Sequence, residues 1–174
     1  MRMKKCLIIV CIFVMAMFCG YAFLQDRYKI NWHTDSMPRG IYSIEYRMPQ
    51  RGEIAASCLT DDIMAYGRDR GYFPLFKGSD CAHGLYPLAK YVYAIPHDEI
   101  ELHGNAIWVN GEDSGIVRLD ADSKGRSMPI LSPARFTVQE GHYFLMSNHR
   151  PNSYDSRYFG AVPVIYVLRP VWRF

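Results

Sequence analysis

A lysine in an apolar, alternating run has the surroundings that most favour chemistry in this chain. Lys90 lies within Leu88-Ala89-Lys90-Tyr91-Val92-Tyr93-Ala94, a run with the composition of a β-strand. Side chains alternate along a strand, so Lys90 shares a face with Val92 and Ala94. Loss of hydration on that apolar face lowers the pKa of an ammonium group, and a neutral lysine accepts a proton. The pattern therefore indicates a general base, although a lysine that reaches water from an edge strand has a similar local sequence.

A serine in a short, stiff turn supplies a partner for that base. The segment Asp35-Ser36-Met37-Pro38-Arg39-Gly40 contains a proline that fixes φ and a glycine that permits unusual φ values. Such a turn can hold the hydroxyl of Ser36 still at a surface, although serine before a turn is often only a turn former. Ser36 and Lys90 together match the Ser-Lys variant of nucleophilic catalysis.

A third segment, rich in small polar residues, follows an apolar run. It extends from Ser147 to Arg157, and we expect its side chains to bind one another and the backbone. Asp155 and Arg157 are predicted to form an ion pair that orders the site. A Ser-His-Asp arrangement of Ser36, His149 and Asp155 is the alternative. It ranks below Ser-Lys because no Gly-x-Ser-x-Gly motif surrounds Ser36.

The rest of the chain predicts a mainly β domain. Asn110-Gly111 is a strong hairpin signal, and Asp61–Arg70 fits one short helix. Ser114–Pro133 is polar and predicts a long surface excursion, while Gly71–Pro87, rich in glycine and aromatic residues, fits no strand pattern. The predicted strands are Ile41–Tyr46, Glu53–Cys58, Lys90–Ile95, Ala106–Val109, Arg135–Val138, Tyr143–Met146 and Val162–Leu168.

The N-terminus predicts a membrane anchor. Cys6–Leu24 contains no charged residue and is long enough to cross a bilayer, which needs roughly 20 apolar residues. The basic residues before it place the N-terminus in the cytoplasm. Residues 1–24 are then the anchor, Gln25–Lys29 a polar connector, and residues 25–174 an exported domain. A cleaved signal peptide ending near Gly20-Tyr21-Ala22 is the alternative, and a lipoprotein processed at Cys19 is disfavoured by the bulky Phe18.

Charge and cysteine content exclude several function classes. The formal net charge is +3, and three of the basic residues precede the apolar run, so the remaining charges cancel and predict no nucleic-acid surface. The histidines are scattered and there is no Cys-x-x-Cys, so we expect no metal and no cofactor. Cys58 and Cys81 could pair in an oxidising compartment, and the sequence leaves this open.

Four short boxes follow one another along the chain. The boxes are Ser36-Met37-Pro38, Arg51-Gly52-Glu53-Ile54, Lys90 followed by Pro96 and Asp98, and Asn152-Ser153-Tyr154-Asp155-Ser156-Arg157-Tyr158-Phe159-Gly160. In this order they resemble the boxes of the type I signal peptidases and, within them, those of the conjugative-transfer peptidases of the TraF type. Proline directly after methionine is typical of the TraF branch, and the resemblance spans residues 31–163.

This resemblance implies a signal-peptidase-like (LexA-like) β fold and a role for several residues. It implies Ser36 as nucleophile, Lys90 as base and Asp155 as a further required residue. It also suggests that the Thr34 hydroxyl joins the Ser36 N–H in an oxyanion hole. The remaining implied residues are Met37 and Pro38 at substrate-binding positions and Ser153 and Arg157 in support. Two departures stand out: His97 occupies a usual glycine position, and Met146-Ser147 replaces a usual Gly-Asp, in a box with one extra residue.

The implied function is cleavage of exported precursors at the periplasmic side of a bacterial inner membrane. A conjugative pilin subunit is the foremost substrate, cleaved after small residues and released by water or by its own N-terminal amine, which would close a ring. Expected partners are that precursor, membrane lipid and a conjugative transfer apparatus. The alternatives are a general leader peptidase and a non-catalytic anchored component of a mating or secretion apparatus.

Overall fold

A long N-terminal helix leads directly into the folded domain. The computed structural model describes residues 2–32, 34, 36–73, 80–131 and 133–173. Helix α1 (Arg2–Arg27) contains the segment Ile8–Arg27, which has a mean hydropathy of 2.3 and buries none of its surface in the protein. By length and composition it can span a membrane.

The connector predicted over Gln25–Lys29 is wrong, because α1 continues through Arg27 and the first strand begins at Tyr28. Arg27 ends the helix favourably, since a cation in the last turn complements the helix dipole. Its guanidinium also lies 4.4 Å from the centre of the Phe23 ring. The helix is therefore joined to the sheet without an intervening loop.

The domain is built on two antiparallel sheets, which confirms the mainly β prediction. The larger sheet contains β1 (Tyr28–Asn31), β2 (Gly40–Glu45), β3 (Ile54–Ser57), β4 (Leu88–Ala94), β9 (His142–Met146), β10 (Val162–Pro163) and β11 (Tyr166–Arg173). The smaller sheet contains β5 (Glu99–His103), β6 (Ala106–Val109), β7 (Glu112–Val117) and β8 (Arg135–Thr137). The strand orders are β1-β2-β11-β3-β4-β9-β10 and β7-β6-β5-β8.

Outside α1, the described residues form only short helices. Helix α2 (Asp61–Asp69) confirms the predicted helix, a 3-10 turn covers Ala82–Gly84, and α3 (Ser156–Phe159) begins at the end of the third polar segment. The predicted hairpin is also confirmed, since Asn110 and Gly111 have φ values of 52° and 78° between paired Val109 and Glu112.

One predicted strand is wrong, and one predicted surface excursion lies only partly at the surface. The predicted strand Val162–Leu168 is divided, because β10 pairs with β9 whereas β11 pairs with β3 and β2 and runs on to Arg173. The predicted surface excursion Ser114–Pro133 begins inside β7, and Arg118 and Met128 within it are 5% and 7% exposed. Met128 packs against Tyr154 and Tyr158, so this region reaches the core at a few positions, while most of its described residues stay exposed or half-buried.

A disulfide closes the segment that carries α2. Cys58 and Cys81 are bonded, with their Sγ atoms 2.03 Å apart. The neighbouring Asp80 accepts a 2.7 Å hydrogen bond from the Tyr166 hydroxyl and pairs with Lys29 at 2.8 Å. The segment is thereby tied to the sheet and to the first strand after α1. Of Gly71–Pro87, residues 74–79 lie outside the described residues.

Candidate active site

Lys90 is buried within β4, on the face that strand alternation predicts. Lys90 and Val92 are 5% and 1% exposed, which confirms the prediction that they share a buried face. The prediction is wrong for Ala94, because the register shifts between Val92 and Ala94, and Ala94 packs with Phe144 and Met146 in a different core cluster from Val92 and Leu145. Burial lowers the pKa of Lys90 from 10.5 to about 8, with the nearby Asp155 charge opposing and the Arg157 charge adding to this shift. A substantial fraction of this amine is therefore neutral near pH 8.

Asp155 and Arg157 form the predicted ion pair in the interior. Both side chains are 0% exposed, with Arg157 Nε 2.7 Å from Asp155 Oδ1 and a second nitrogen 2.7 Å from Oδ2. The guanidinium also donates to the carbonyls of Val117, Arg150, Pro151 and Ser153. This paired geometry fixes the polar segment against β7, and the carboxylate lies near enough to Lys90 to influence its charge.

The loop that carries Ser36 connects β1 to β2 and is organised by one asparagine. Asn31 Nδ2 is 2.9 Å from the carbonyl oxygen of Thr34 and 3.1 Å from those of Met37 and Pro38. Asn31 Oδ1 accepts from the N–H and the hydroxyl of Thr34, both at 3.1 Å. One side chain at the end of β1 therefore holds both sides of the nucleophile turn.

The far side of the loop is fixed by Tyr42 and Gly40. The fully buried Tyr42 donates its hydroxyl proton to the Pro38 carbonyl. Gly40 lies so close to β11 that an added Cβ would be 2.1 Å from the Trp172 carbonyl oxygen. The loop can therefore end in this position only with glycine there.

Ser36 is linked to the buried carboxylate through Ser147. The Ser36 hydroxyl is 3.5 Å from Thr34 Oγ1, and the Ser36 carbonyl accepts a 2.9 Å hydrogen bond from Ser147 Oγ. The Ser147 N–H donates to Asp155 Oδ2 at 3.0 Å. No hydrogen bond joins Ser36 to Lys90 in the part of the chain that is described. Hydrogen bonds of this kind are often long before substrate binds.

The structure gives no support to the alternative that uses His149. This side chain is exposed, and its Nε2 lies 3.3 Å from the Tyr91 hydroxyl. Both carboxylate oxygens of Asp155 are occupied by Arg157, and one of them also by Ser147. Among the described residues, His149 and Asp155 share no hydrogen bond, so a Ser-His-Asp relay is not formed.

The other predicted site residues differ in their accessibility. Met37 is 5% exposed and packs in a core cluster with Tyr42 and Ile54. Pro38 is half-buried and accepts hydrogen bonds through its carbonyl, and Ser153 is half-buried and accepts one from Arg157. In this arrangement Met37 anchors the loop, so its contact with a substrate stays a prediction.

The turn that contains Pro96 and Asp98 includes His97, which occupies a position where the family usually has glycine. His97 has a φ of 73°, in the left-handed region that glycine adopts without strain. Beside it, Asp98 Oδ2 accepts from the Ile95 N–H at 2.8 Å, and Asp98 pairs with Arg51 of the preceding box. The turn after Lys90 is therefore held in place by Asp98, with a histidine in the position that favours glycine.

Sequence reasoning missed Asn31 and Ser147 as site residues. Asparagine before a turn is a known signal for side-chain bonds to nearby backbone, and it could have identified Asn31. The contact of Ser147 spans 111 residues, so local patterns contain no trace of it. Among the described residues there is no group of three or more His, Cys, Asp or Glu side chains that could hold a metal ion.

Comparison with known proteins identifies the family of this chain. The family model for signal peptidase, peptidase S26, matches residues 2–168. A conjugal transfer protein TraF from Agrobacterium tumefaciens (strain 15955) is 32% identical over 88% of this chain and 86% of its own length. A plasmid transfer protein TraF from Escherichia coli is 30% identical over 87% of this chain and 86% of its own length.

A solved signal peptidase I from Enterococcus faecalis V583 is 23% identical over 71% of this chain and 98% of that chain, with a TM-score of 0.40. The fold assignment therefore rests on this chain's own strands and on the family match, which covers almost its whole length. The chain belongs to the signal peptidase family, peptidase S26.

Proposed function

We propose that this chain is a membrane-anchored serine endopeptidase in which Ser36 is the nucleophile and Lys90 the general base. The observation that carries the proposal is the burial of Lys90, which lowers its pKa to about 8. A lysine of ordinary pKa would be almost wholly protonated near neutral pH and could not accept the serine proton.

In the proposed reaction, neutral Lys90 takes the proton of the Ser36 hydroxyl as Ser36 Oγ attacks the substrate carbonyl carbon. The peptide C–N bond then breaks, the leaving amine receives the proton from Lys90, and an ester joins the substrate to Ser36. Asp155 and Arg157 support the base by fixing the polar segment beside it.

The negative charge that develops on the substrate oxygen requires donors. We assign this role to the Ser36 N–H and the Thr34 hydroxyl. Thr34 Oγ1 donates to Asn31 Oδ1 in the structure, so the hydroxyl must rotate about its Cβ–Oγ bond to reach the substrate oxygen.

The proposed substrate is an exported precursor, with a conjugative pilin subunit foremost. The names of the relatives, conjugal and plasmid transfer proteins, support this context. The apolar segment of α1 would hold the domain at the inner membrane with the N-terminus in the cytoplasm and the site in the periplasm. The ester is then released by water or by the N-terminal amine of the same pilin, which closes a ring.

Intact-mass measurement of a pilin precursor, co-expressed with this protein, tests the proposal. We expect a shortened product with the wild-type protein and none with Ser36→Ala, while Ser123→Ala, which removes an exposed serine hydroxyl, should process normally. A ring would be lighter than the linear fragment by one water. Equal processing with the wild type and Ser36→Ala would reject the peptidase and favour a non-catalytic component of the transfer apparatus.

A further inference from the structure

Ser147 is a buried serine at the end of β9 whose hydroxyl has no part in the mechanism above. It is 1% exposed. Its Oγ donates to the carbonyl oxygen of Ser36 at 2.9 Å, and its N–H donates to Asp155 Oδ2 at 3.0 Å. One residue therefore contacts both the backbone of the nucleophile and the buried carboxylate.

Ser147 is the first residue after β9, next to the strand that carries Lys90. The last register pair of β4 and β9 is Tyr91 with Met146, so Ser147 lies one residue beyond the paired part of the two strands. Lys90 is likewise one residue from Tyr91 along β4. The Ser147 hydroxyl therefore leaves the chain beside the strand that carries the base.

The surroundings of the Ser147 hydroxyl fix its direction. Its oxygen lies 3.3 Å from the N–H groups of His149 and Arg150, which donate to it, while its proton goes to Ser36. A hydroxyl has one proton to give, and here the two backbone donors leave the Ser36 carbonyl as its acceptor. The bond is thus a directed link between the third polar segment and the nucleophile loop.

We propose that Ser147 is a positioning residue that holds Ser36 beside the strand that carries Lys90. This inference rests on the proposed Ser-Lys function. Asn31 and Tyr42 give the loop its internal shape, whereas Ser147 ties the carbonyl of the nucleophile itself to the strand beside the base. Ser147 acts through Ser36 and does not exchange a proton with the substrate.

Positioning by the hydroxyl can be separated from an effect on the base. Asp155 is contacted by the backbone N–H of Ser147, which an alanine at this position keeps. The burial of Lys90 and the charge of Asp155, which set the pKa of Lys90, then stay in place. Loss of the hydroxyl should therefore slow the reaction and leave its pH dependence unchanged.

The test measures kcat, KM and the pH profile of precursor cleavage by the full chain in detergent. For Ser147→Ala we expect kcat to fall by roughly 10- to 100-fold, because small misplacements of reacting groups have effects of that size. KM should stay within about twofold and the acidic limb of the profile should not move, since neither substrate contacts nor the base are altered. Ser147→Thr, which keeps the donor, should remain far more active than Ser147→Ala.

The matched control is Ser114→Ala. Its hydroxyl also donates to a backbone carbonyl, that of Ile107 at 2.6 Å, but it lies in the smaller sheet. We expect wild-type kcat for this variant. The inference is overturned if Ser147→Ala keeps wild-type kcat, if its acidic limb moves upward because water has reached Lys90, or if Ser147→Thr is as impaired as Ser147→Ala. A wild-type protein no more active than Ser36→Ala would instead reject the proposed function itself.

Discussion

The segment that carries Ser36 and the segments that carry Lys90 differ in how the fold holds them. Lys90, Asp155 and Arg157 are 5%, 0% and 0% exposed and lie on or beside the central strands of the larger sheet. The loop with Ser36 lies near the sheet edge formed by β1, with Thr34 exposed and Ser36 half-buried. The base region is held by burial, whereas the nucleophile loop is anchored by one buried side chain, Met37, and by hydrogen bonds to its carbonyl groups.

This difference follows from what each group must do. A lysine becomes a useful base near neutral pH only when water is removed from it, and the interior of a sheet provides that environment. A serine that attacks a protein chain must stay accessible, so it cannot be fixed by burial. Directed bonds from Asn31 and Ser147 fix its backbone and leave its hydroxyl at the surface.

The largest effect on folding stability is expected for Asp155→Asn, which breaks the ion pair beside the base. This change leaves the fully buried Arg157 without its carboxylate, which costs about 3–5 kcal/mol of folding free energy for buried pairs. Thermal unfolding of the full chain in detergent should show a large drop in Tm, together with loss of cleavage.

The control for this prediction is Glu99→Gln. Glu99 accepts two hydrogen bonds from Arg135, as Asp155 does from Arg157, but the Arg135 and Glu99 side chains are 65% and 37% exposed. We expect a loss of about 1 kcal/mol or less there, as for surface pairs. Equal losses at Asp155 and Glu99 would contradict the view that burial holds the base region.

A smaller effect on folding stability, in the stabilising direction, is expected for Lys90→Met. The pKa of Lys90 falls from 10.5 to about 8 on folding, so the buried charge costs about 3 kcal/mol at pH 7. Lys90→Met should therefore be more stable than the wild type at pH 7, by up to that amount, and inactive.

The sign of the pH dependence follows from proton binding. Between about pH 8 and 10.5 the unfolded chain holds a proton on Lys90 that the folded chain has lost, so wild-type stability rises with pH. The advantage of Lys90→Met should shrink through this window. Lys124→Met, at an exposed loop position, is the control and should show no such trend. An advantage independent of pH would show that Lys90 carries no cost of charge burial.

The smallest effect on folding stability is expected for Asn31→Asp, which alters only the nucleophile loop. The carboxylate keeps the acceptor for Thr34 but loses the donor to the carbonyls of Met37 and Pro38. We expect kcat to fall by roughly 10-fold or more from misplacement of Ser36, with Tm changed by only a few degrees.

Asn105→Ala serves as the control, because the amide of Asn105 also bonds at both ends, to Asp120 and Arg118, in the smaller sheet. Its cleavage rate should match that of the wild type. A wild-type rate for Asn31→Asp would mean that the amide donor is not needed to hold the nucleophile.

Local patterns in the sequence predict the burial of Lys90 better than they predict the residues that hold the Ser36 loop in place. Alternation along β4 predicts the buried face of Lys90, because a strand has a fixed period of two. The Asp155–Arg157 pair is likewise predicted by opposite charges close together in a polar segment. The contact of Ser147 with Ser36 depends on how β9 lies beside the loop, and no local period encodes it.

Two errors in the predicted fold have related causes. Val162–Leu168 is uniformly apolar, but the chain changes strand partner after Pro163, which a run of β-forming residues does not reveal. Ser114–Pro133 is polar in sequence, yet Arg118 is buried because its guanidinium bonds to Pro129 and Asp120. Tertiary contacts decided both cases.

The pH dependence of precursor cleavage tests the central claim, that buried Lys90 is the general base, most directly. We predict that kcat rises with pH along a limb with its midpoint near 8, that Lys90→Arg lowers activity by roughly 10³-fold or more, and that His149→Gln leaves the limb in place. A limb near pH 6–7 that persists in Lys90→Arg and disappears in His149→Gln would contradict the account, because a histidine would then be the base.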